Sequence, residues 1–410
     1  MKSLHKIILL ALLPLMGACG SMLDIEPHSA VSPTVVGSGD IEALRVGMYS
    51  QVQENPTYYS YIAFDLFGGE LMTSTGRPID LINSLSNALH SFISSQWNGY
   101  YKALLQVNNV MSIAEGLPNN ATRNRVLGEC HYFRAYIYLC LVTRFSDVPV
   151  LRQNTQDKAS RDPASEAWAL IEEDLDAATG FLNGLTADSY YYVSPFAVTA
   201  LKARVKLYMG KKGEAKELAE SLIENPRYAL DDFSKIFRGK ANTEVIFAFS
   251  CLTEDGSSIK ISNQFYSYNH PNKGSYNYRP AGDVMTMYAD NDLRKDISIT
   301  TLDNLNFINK YPSGQTGSDP VVISRLAEMY LISAEAQGLN GGLDRLNELR
   351  EKRGLEKVSP ANEAEFLDAV LQERRLEFLA EGFRWYDLVR TGKATQTLGT
   401  KDYQCLMPLP

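Results

Sequence analysis

The sequence predicts a mainly α-helical protein, a solenoid of tetratricopeptide-like helix pairs interrupted by an irregular, loop-rich insert containing short strands. Three observations carry that expectation. Apolar residues recur at helical spacing through both ends of the 410-residue chain. One αα-hairpin, from Ser194 to Asn225, spans about the 34-residue period of a tetratricopeptide repeat. Between the helical ends, from Tyr228 to Pro320, the period fades and Gly, Asn, Ser, Asp and Tyr accumulate.

The N-terminus reads as a targeting segment. Lys2 and Lys6 give a basic start, an apolar run covers Ile7 to Met16, and Gly17-Ala18-Cys19 follows. That order describes a secretory signal peptide over residues 1–18. The run falls short of the roughly 20 residues needed to span a bilayer. A cysteine directly after Gly-Ala has the form of a lipobox, at which signal peptidase II would leave Cys19 as the lipidated first residue. Each buried lipid CH₂ contributes ~0.8 kcal/mol, so several acyl chains would hold the protein on a membrane.

The helices follow in order. Ile41, Leu44, Met48 and Val52 recur at helical spacing after Asp40. Trp97, Tyr101, Leu104, Leu105 and Met111 mark a second helix, and Val126, Phe133, Ile137 and Leu141 a third. Asp162-Pro163 and Ser194-Pro195 each offer a capping residue followed by proline at the first helical position. The helices they open carry Trp168, Ile171, Leu175 and Leu182, then Val198, Leu201, Val205 and Tyr208. Gly210 to Gly213 makes a tight break, and Ala215, Leu218 and Leu222 begin a partner helix that Pro226 stops. Another pair is expected over Val321–Leu339 and Leu343–Arg353, and a last helix over Glu363–Glu381. A scaffold of this kind names no ligand by itself.

Within the insert, Glu244 to Ser250 (EVIFAFS) is the clear strand candidate. A long irregular segment inside a helical domain is uncommon and usually functional. This one holds Phe265, Tyr266, Tyr268, Tyr276, Tyr278, Arg279 and Tyr288, mixed with Asn263, Gln264, Asn269, Asn272 and Asn277. Flat rings stack on the apolar faces of sugars, while amides and guanidinium groups bond hydroxyls; the same mixture also suits peptides. Two more clusters, Tyr58-Tyr59-Tyr61 and Tyr190-Tyr191-Tyr192, are expected between helices.

Composition excludes several classes. Without Lys2 and Lys6 the chain keeps 38 basic against 48 acidic residues. An acidic chain with no basic run does not suit nucleic acid, whose binding rests on phosphate neutralisation. Cys130 and Cys140, ten residues apart on one helix, stand ~15 Å apart along its axis, too far for a disulfide. Cys251 and Cys405 are able to pair, but nothing requires it. No CxxC or His-x-x-x-His spacing points to a metal, and no motif points to a cofactor. A glycoside hydrolase needs two carboxylates ~5–10 Å apart. The acidic groups Glu172-Glu173-Asp174 and Asp231-Asp232 fall where a solvated face or turn explains them. No GxSxG or phosphate-binding glycine loop is present, so catalysis is not expected.

The stretch Leu371–Lys393, LQERRLEFLAEGFRWYDLVRTGK, packs Arg374, Arg375, Glu377, Glu381 and Arg384 among aromatics. Charges so placed are tolerable only when paired, so the stretch reads as a scaffold brace. Its pattern resembles the C-terminal signature of the SusD/RagB family, outer-membrane nutrient-binding lipoproteins of Bacteroides-type bacteria. HYFRAYIYLCLVTRFSDVPVL (131–151), SRLAEMYLISAEA (324–336), LNELREKRGL (346–355) and the closing YQCLMPLP resemble further family segments in the same order. The chain is shorter than most relatives, which implies a trimmed insert. Asp24, Glu26 and Pro27 after Cys19 are placed as in that group's surface-exported lipoproteins.

The resemblance implies a lipid-anchored, surface-exposed outer-membrane protein that partners a SusC-like TonB-dependent transporter. It would cap the barrel as a hinged lid and deliver an oligosaccharide; an oligopeptide ligand, or an adaptor role without a ligand, are the alternatives. It implies one domain in three stretches: helical 19–227, ligand-binding insert 228–320 and helical 321–410. The candidate ligand contacts are Tyr266, Tyr268, Tyr276, Asn277, Tyr278 and Arg279, with Tyr58, Tyr59 and Asp65 on the opposing rim. Arg77, Lys273 and Arg279 are the local cations that would favour an anionic ligand.

Overall fold

Helical periodicity becomes helix in the computed structural model, which describes residues 40–74, 90–251 and 259–410. The signal peptide, Cys19 and Arg77 lie outside those residues. The first half runs α1 (Ile41–Glu54), α2 (Thr57–Phe67), β1 (Leu71–Thr73), α3 (Ser91–Glu115), α4 (Ala121–Phe145), α5 (Ala164–Leu182), α6 (Pro195–Tyr208) and α7 (Lys212–Ile223). Next come α8 (Phe233–Ile236), β2 (Val245–Phe249), β3 (Tyr278–Pro280), α9 (Lys295–Ser298), β4 (Ile299–Leu302), β5 (Leu305–Ile308) and β6 (Val321–Arg325). The chain closes with α10 (Leu326–Gln337), α11 (Leu339–Lys352), α12 (Glu363–Glu377), α13 (Arg384–Arg390) and α14 (Ala394–Leu398). Residues Leu44–Pro410 form one compact unit.

Neighbouring helices pack in pairs: α3 on α4, α4 on α5, α6 on α7, and α10 on both α7 and α11. The fold is therefore a mainly helical stack of tetratricopeptide-like pairs. Ser194 caps α6 as its sequence suggests, its Oγ accepting the Ala197 N–H at 3.1 Å with Pro195 in the first turn. At α5 the cap differs from expectation. Asp162 instead accepts the Val150 N–H at 2.8 Å and bridges to Val148. The Oδ1 of Asp147 takes over, accepting the Ala164 N–H at 2.9 Å. Among the described residues no helix is long and apolar enough to cross a membrane.

The strands form three two-stranded antiparallel pairs, β1–β3, β2–β6 and β4–β5. Two expectations need correction here. The Tyr58-Tyr59-Tyr61 cluster is not between helices; it lies on α2. Residues Val321–Arg325 are not the start of a helix but strand β6, paired with the expected strand β2. The helix expected over Glu363–Glu381 also ends earlier, at Glu377, because Ala380 (φ +59°) and Gly382 (φ +79°) turn the chain left-handed. Cys251 and Cys405 do not form a disulfide with each other.

The C-terminal signature is a brace, as its pairing of charges suggests. Glu377, buried, meets Arg325 at 2.5 Å, Arg294 at 2.7 Å and Arg353 at 2.8 Å. Arg353 and Arg325 also bond Glu244 beside β2, at 2.7 and 3.0 Å. Glu381 closes the network through Arg325 and Lys310. One carboxylate thus joins α12 to the segment before α9, to β6 and to the end of α11. Burial opposes its charge, but Arg353, Arg325 and Arg294 outweigh burial and hold the Glu377 carboxyl well below the usual range. Such networks specify an arrangement more than they stabilise it, yet removing one partner from a buried pair costs about 3–5 kcal/mol. Around them, Leu331, Leu346, Leu349, Phe366 and Phe378 form the apolar core of the C-terminal helices.

Candidate ligand-binding site

Two short strands bring the separated tyrosine clusters together. In the β1–β3 pair Thr73 sits opposite Tyr278 and Met72 opposite Arg279. The Ser74 N–H extends the ladder by donating to the Asn277 carbonyl at 3.0 Å. Tyr278 thereby reaches the start of α2, where Tyr58 and Tyr59 project. The rings of Tyr58 and Tyr59 lie 4.4 Å apart, and Tyr59 leans on Phe92 of α3 at 4.7 Å. All three tyrosines are half-buried, with part of each ring open to solvent.

The backbone beneath this patch is constrained. Thr57, a β-branched residue, holds φ +62° at the turn between α1 and α2. That conformation costs about 1–3 kcal/mol and persists where its surroundings over-determine it. Gly99 of α3 supplies the surroundings: a Cβ there would stand 2.2 Å from the Asn55 carbonyl oxygen. Only glycine lets the α1–α2 turn press so closely on α3. Tyr276, at φ +47°, marks a second strained point one residue before the ladder begins.

The phenols of Tyr58 and Tyr278 are neutral near pH 7. Burial, then hydrogen bonding with Tyr59 and the proximity of Tyr278, pushes the Tyr58 hydroxyl well up. Burial and Tyr59 push Tyr278 up to about 12. A cluster of neutral hydroxyls on ring edges is able to donate and accept at once, which suits polyhydroxylated ligands.

The other expected contacts divide. Tyr268 is 75% exposed, with the Lys273 ammonium 5.9 Å from its ring centre. Asn277 is exposed and donates to Gln264 at 2.7 Å. Tyr276 is half-buried, its hydroxyl donating to the Asn306 carbonyl at 3.0 Å and its ring leaning on Phe307. Arg279 is half-buried and its Nε, shielded from solvent, has no hydrogen-bond partner among the described residues.

Two candidates are internal and need correction. Tyr266 is fully buried: its hydroxyl bonds Asn309 at 2.8 Å, and its ring packs on His270 and Phe307. Asp65 is likewise fully buried and accepts the N–H groups of Ala380 at 2.9 Å and Gly382 at 2.8 Å. Asp65 therefore pins the left-handed turn after α12 and has no face toward a ligand. Sequence reasoning also missed Glu70, in the turn between α2 and β1, buried and bonded at 3.0 Å to Arg375 of the signature. No signal in the sequence links those two positions. Among the described residues no group of three or more His, Cys, Asp or Glu side chains is placed to hold a metal ion.

A helical-repeat scaffold with a half-open aromatic patch defines a class of binding protein rather than one chemistry. Comparison supplies the class. The SusD family model matches residues 304–407, and a second model, described as starch-binding associating with outer membrane, matches residues 21–207. At both ends, then, the chain is similar to the SusD family. A curated relative, SusD-like protein P38 of Formosa agariphila, is 24% identical over 96% of this chain and 92% of its own length. A solved laminarin-binding SusD-like protein superposes with a TM-score of 0.76 at 22% identity, covering 91% of this chain and 96% of that one. Surface glycan-binding protein A from Bacteroides thetaiotaomicron, in complex with laminarihexaose, gives 0.75 at 19% identity, with 91% and 94% covered. At these identities the two structures establish a shared fold.

Proposed function

We propose that this protein is a non-catalytic outer-membrane lipoprotein that captures an oligosaccharide and passes it to a SusC-like TonB-dependent transporter. The observation that carries the reading is the convergence of Tyr58, Tyr59 and Tyr278 at the β1–β3 junction. Half-open rings supply stacking faces, and their neutral hydroxyls supply donors and acceptors. Exposed Tyr268 and Asn277 and half-buried Tyr276 and Arg279 extend the surface on the insert side. Similarity to proteins whose names state starch, glycan or laminarin binding supports the sugar class. Attachment through Cys19, surface exposure and the transporter partner rest on the signal-peptide pattern and on family resemblance.

Capture here means that ligand shifts a lid equilibrium only by its preference for the closed state. Calorimetric titration of the soluble Ser21–Pro410 fragment with laminarihexaose, other neutral hexasaccharides and a set of oligopeptides tests the reading. Saturable heat with a sugar, lost in a Tyr58→Ala/Tyr278→Ala variant, is expected. Heat from peptides with silence across the sugars would overturn it.

A further inference from the structure

A second aromatic concavity lies on the other side of the α1–α2 turn. Tyr49, Tyr191, Tyr192 and Phe249 line an open pocket of about 490 Å³. Its size falls within the roughly 300–1,000 Å³ range of small-ligand sites. Polar groups ring it: Ser50, Gln53 and Glu54 from α1, and Ser250 after β2. The Ser250 hydroxyl is shielded from solvent yet has no hydrogen-bond partner among the described residues. A polar atom left so is destabilising, and a ligand hydroxyl would relieve it. Ser189 also lines an adjoining concavity of about 330 Å³, which Tyr190, Tyr228 and Asn242 help to wall. The tyrosine triplet 190–192 thus forms the ridge between two joined hollows.

The pocket is built rather than incidental. The Tyr49 hydroxyl accepts the Val193 N–H at 2.9 Å, and the Ser189 hydroxyl accepts the Tyr191 N–H at 3.0 Å, so the ridge is tied to α1 and to itself. The Tyr190 carbonyl accepts from Ala248 at 3.0 Å, fastening the ridge to β2. Charge narrows the ligand class. Among the described residues no Lys or Arg lines the larger pocket. The guanidinium of Arg45 stacks on Tyr192 at 4.7 Å and is held by Glu129 at 2.5 and 2.7 Å. With Glu54 the only charged group on the wall among the described residues, an anionic sugar or a phosphate is disfavoured.

We propose that the Tyr49–Tyr191–Tyr192 pocket is a second saccharide site, selective for neutral sugar residues and distinct from the Tyr58–Tyr278 patch. It rests on the reading of the protein as a saccharide binder. The full-length protein in detergent is titrated calorimetrically with four neutral hexasaccharides (laminarihexaose, maltohexaose, xylohexaose and mannohexaose) and with an oligogalacturonate as the acidic control. Three variants are compared: Tyr191→Ala, Ser50→Trp and Tyr58→Ala/Tyr278→Ala. Ser50 is an exposed α1 residue, so a tryptophan there obstructs the pocket without entering the core. A loss of at least tenfold in affinity, or of one of two binding steps, in both Tyr191→Ala and Ser50→Trp supports the second site. If that loss occurs while Tyr58→Ala/Tyr278→Ala binds as wild type, the second site stands and the patch assignment falls. If only the Tyr58/Tyr278 variant loses binding, the second site is overturned and the patch stands. Equal or tighter binding of the acidic control at the pocket overturns the selectivity, and silence with every neutral sugar overturns both sites.

Discussion

The C-terminal signature and the tyrosine patch are both crowded with polar side chains, yet they differ in where the polarity points. Around Glu377 the charged groups face inward: Arg294, Arg325 and Arg353 converge on one carboxylate, all nearly inaccessible to water. At the β1–β3 junction, neutral hydroxyls and rings stand half-open on a strained backbone. The first region spends its polarity on joining helices to strands. The second leaves its polarity available. Burial and partnering, more than residue type, separate the two regions.

Glu377→Gln tests the first half of the contrast and carries the largest expected effect. The substitution leaves three guanidinium groups facing an uncharged amide, at a cost of about 3–5 kcal/mol. A large fall in the urea midpoint, with sugar binding retained by the folded fraction, is the expected result. A folded-state carboxyl held below its ordinary value contributes stability above pH 4.5, the ordinary value, and loses it as pH falls below that. Glu377→Gln should therefore differ most from wild type near neutrality and converge with it in acid. A midpoint equal to wild type at pH 7 would remove the brace from the account.

Asp65→Ala comes next. Its carboxylate serves two buried backbone N–H groups, and stranding them costs about 2–3 kcal/mol. Hydrogen exchange should accelerate at Ala380 and Gly382 before the rest of the chain. If affinity falls while stability and exchange stay put, Asp65 belongs to the ligand site after all.

Much of this arrangement was legible in the sequence, and the failures have physical causes. The periods of α1, α3 and the α6–α7 hairpin are one-sided and therefore readable, while α4, buried nearly all round from Val126, is legible by its length. Helix α2 was not: every residue from Ser60 to Phe67 is buried, so no polar stripe marks the helical period. Strand β6 is also buried at every position, and an apolar run without alternation merges into the helix after it. Tyr58 and Tyr278 were identified by chemistry, but their meeting depends on strand register, which no local pattern encodes. Tyr266 misled because a loop-rich insert still needs a core of its own, and Phe307 and His270 make it here.

Truncating the patch sharpens the second half of the contrast. Each of Tyr58→Ala and Tyr278→Ala should weaken sugar binding by about tenfold, roughly 1.4 kcal/mol, while Tyr266→Phe leaves affinity unchanged. The melting temperatures of the two patch variants should move little compared with Glu377→Gln. If Tyr266→Phe costs as much affinity as Tyr278→Ala, the division between packing and contact tyrosines drawn from burial is wrong.

The smallest effect is expected where a charge is neither braced nor offered to ligand. Asp231 bonds Lys235 at 2.8 Å and accepts the N–H groups of Asp232 at 2.7 Å and Thr243 at 3.1 Å. Slight burial opposes its charge, but these donors outweigh burial and hold the carboxyl down at about 2. Because the folded value lies below the unfolded one, its contribution is present above pH 3.8 and is lost as pH falls toward 2. Asp231→Asn should cost about 1 kcal/mol at pH 7, near the upper end for a surface pair, and the difference from wild type should shrink between pH 4 and pH 2. Urea titrations of both proteins at pH 7, 4 and 3 measure it. A gap that stays constant or widens in acid would overturn Asp231 as the group whose titration stabilises this turn.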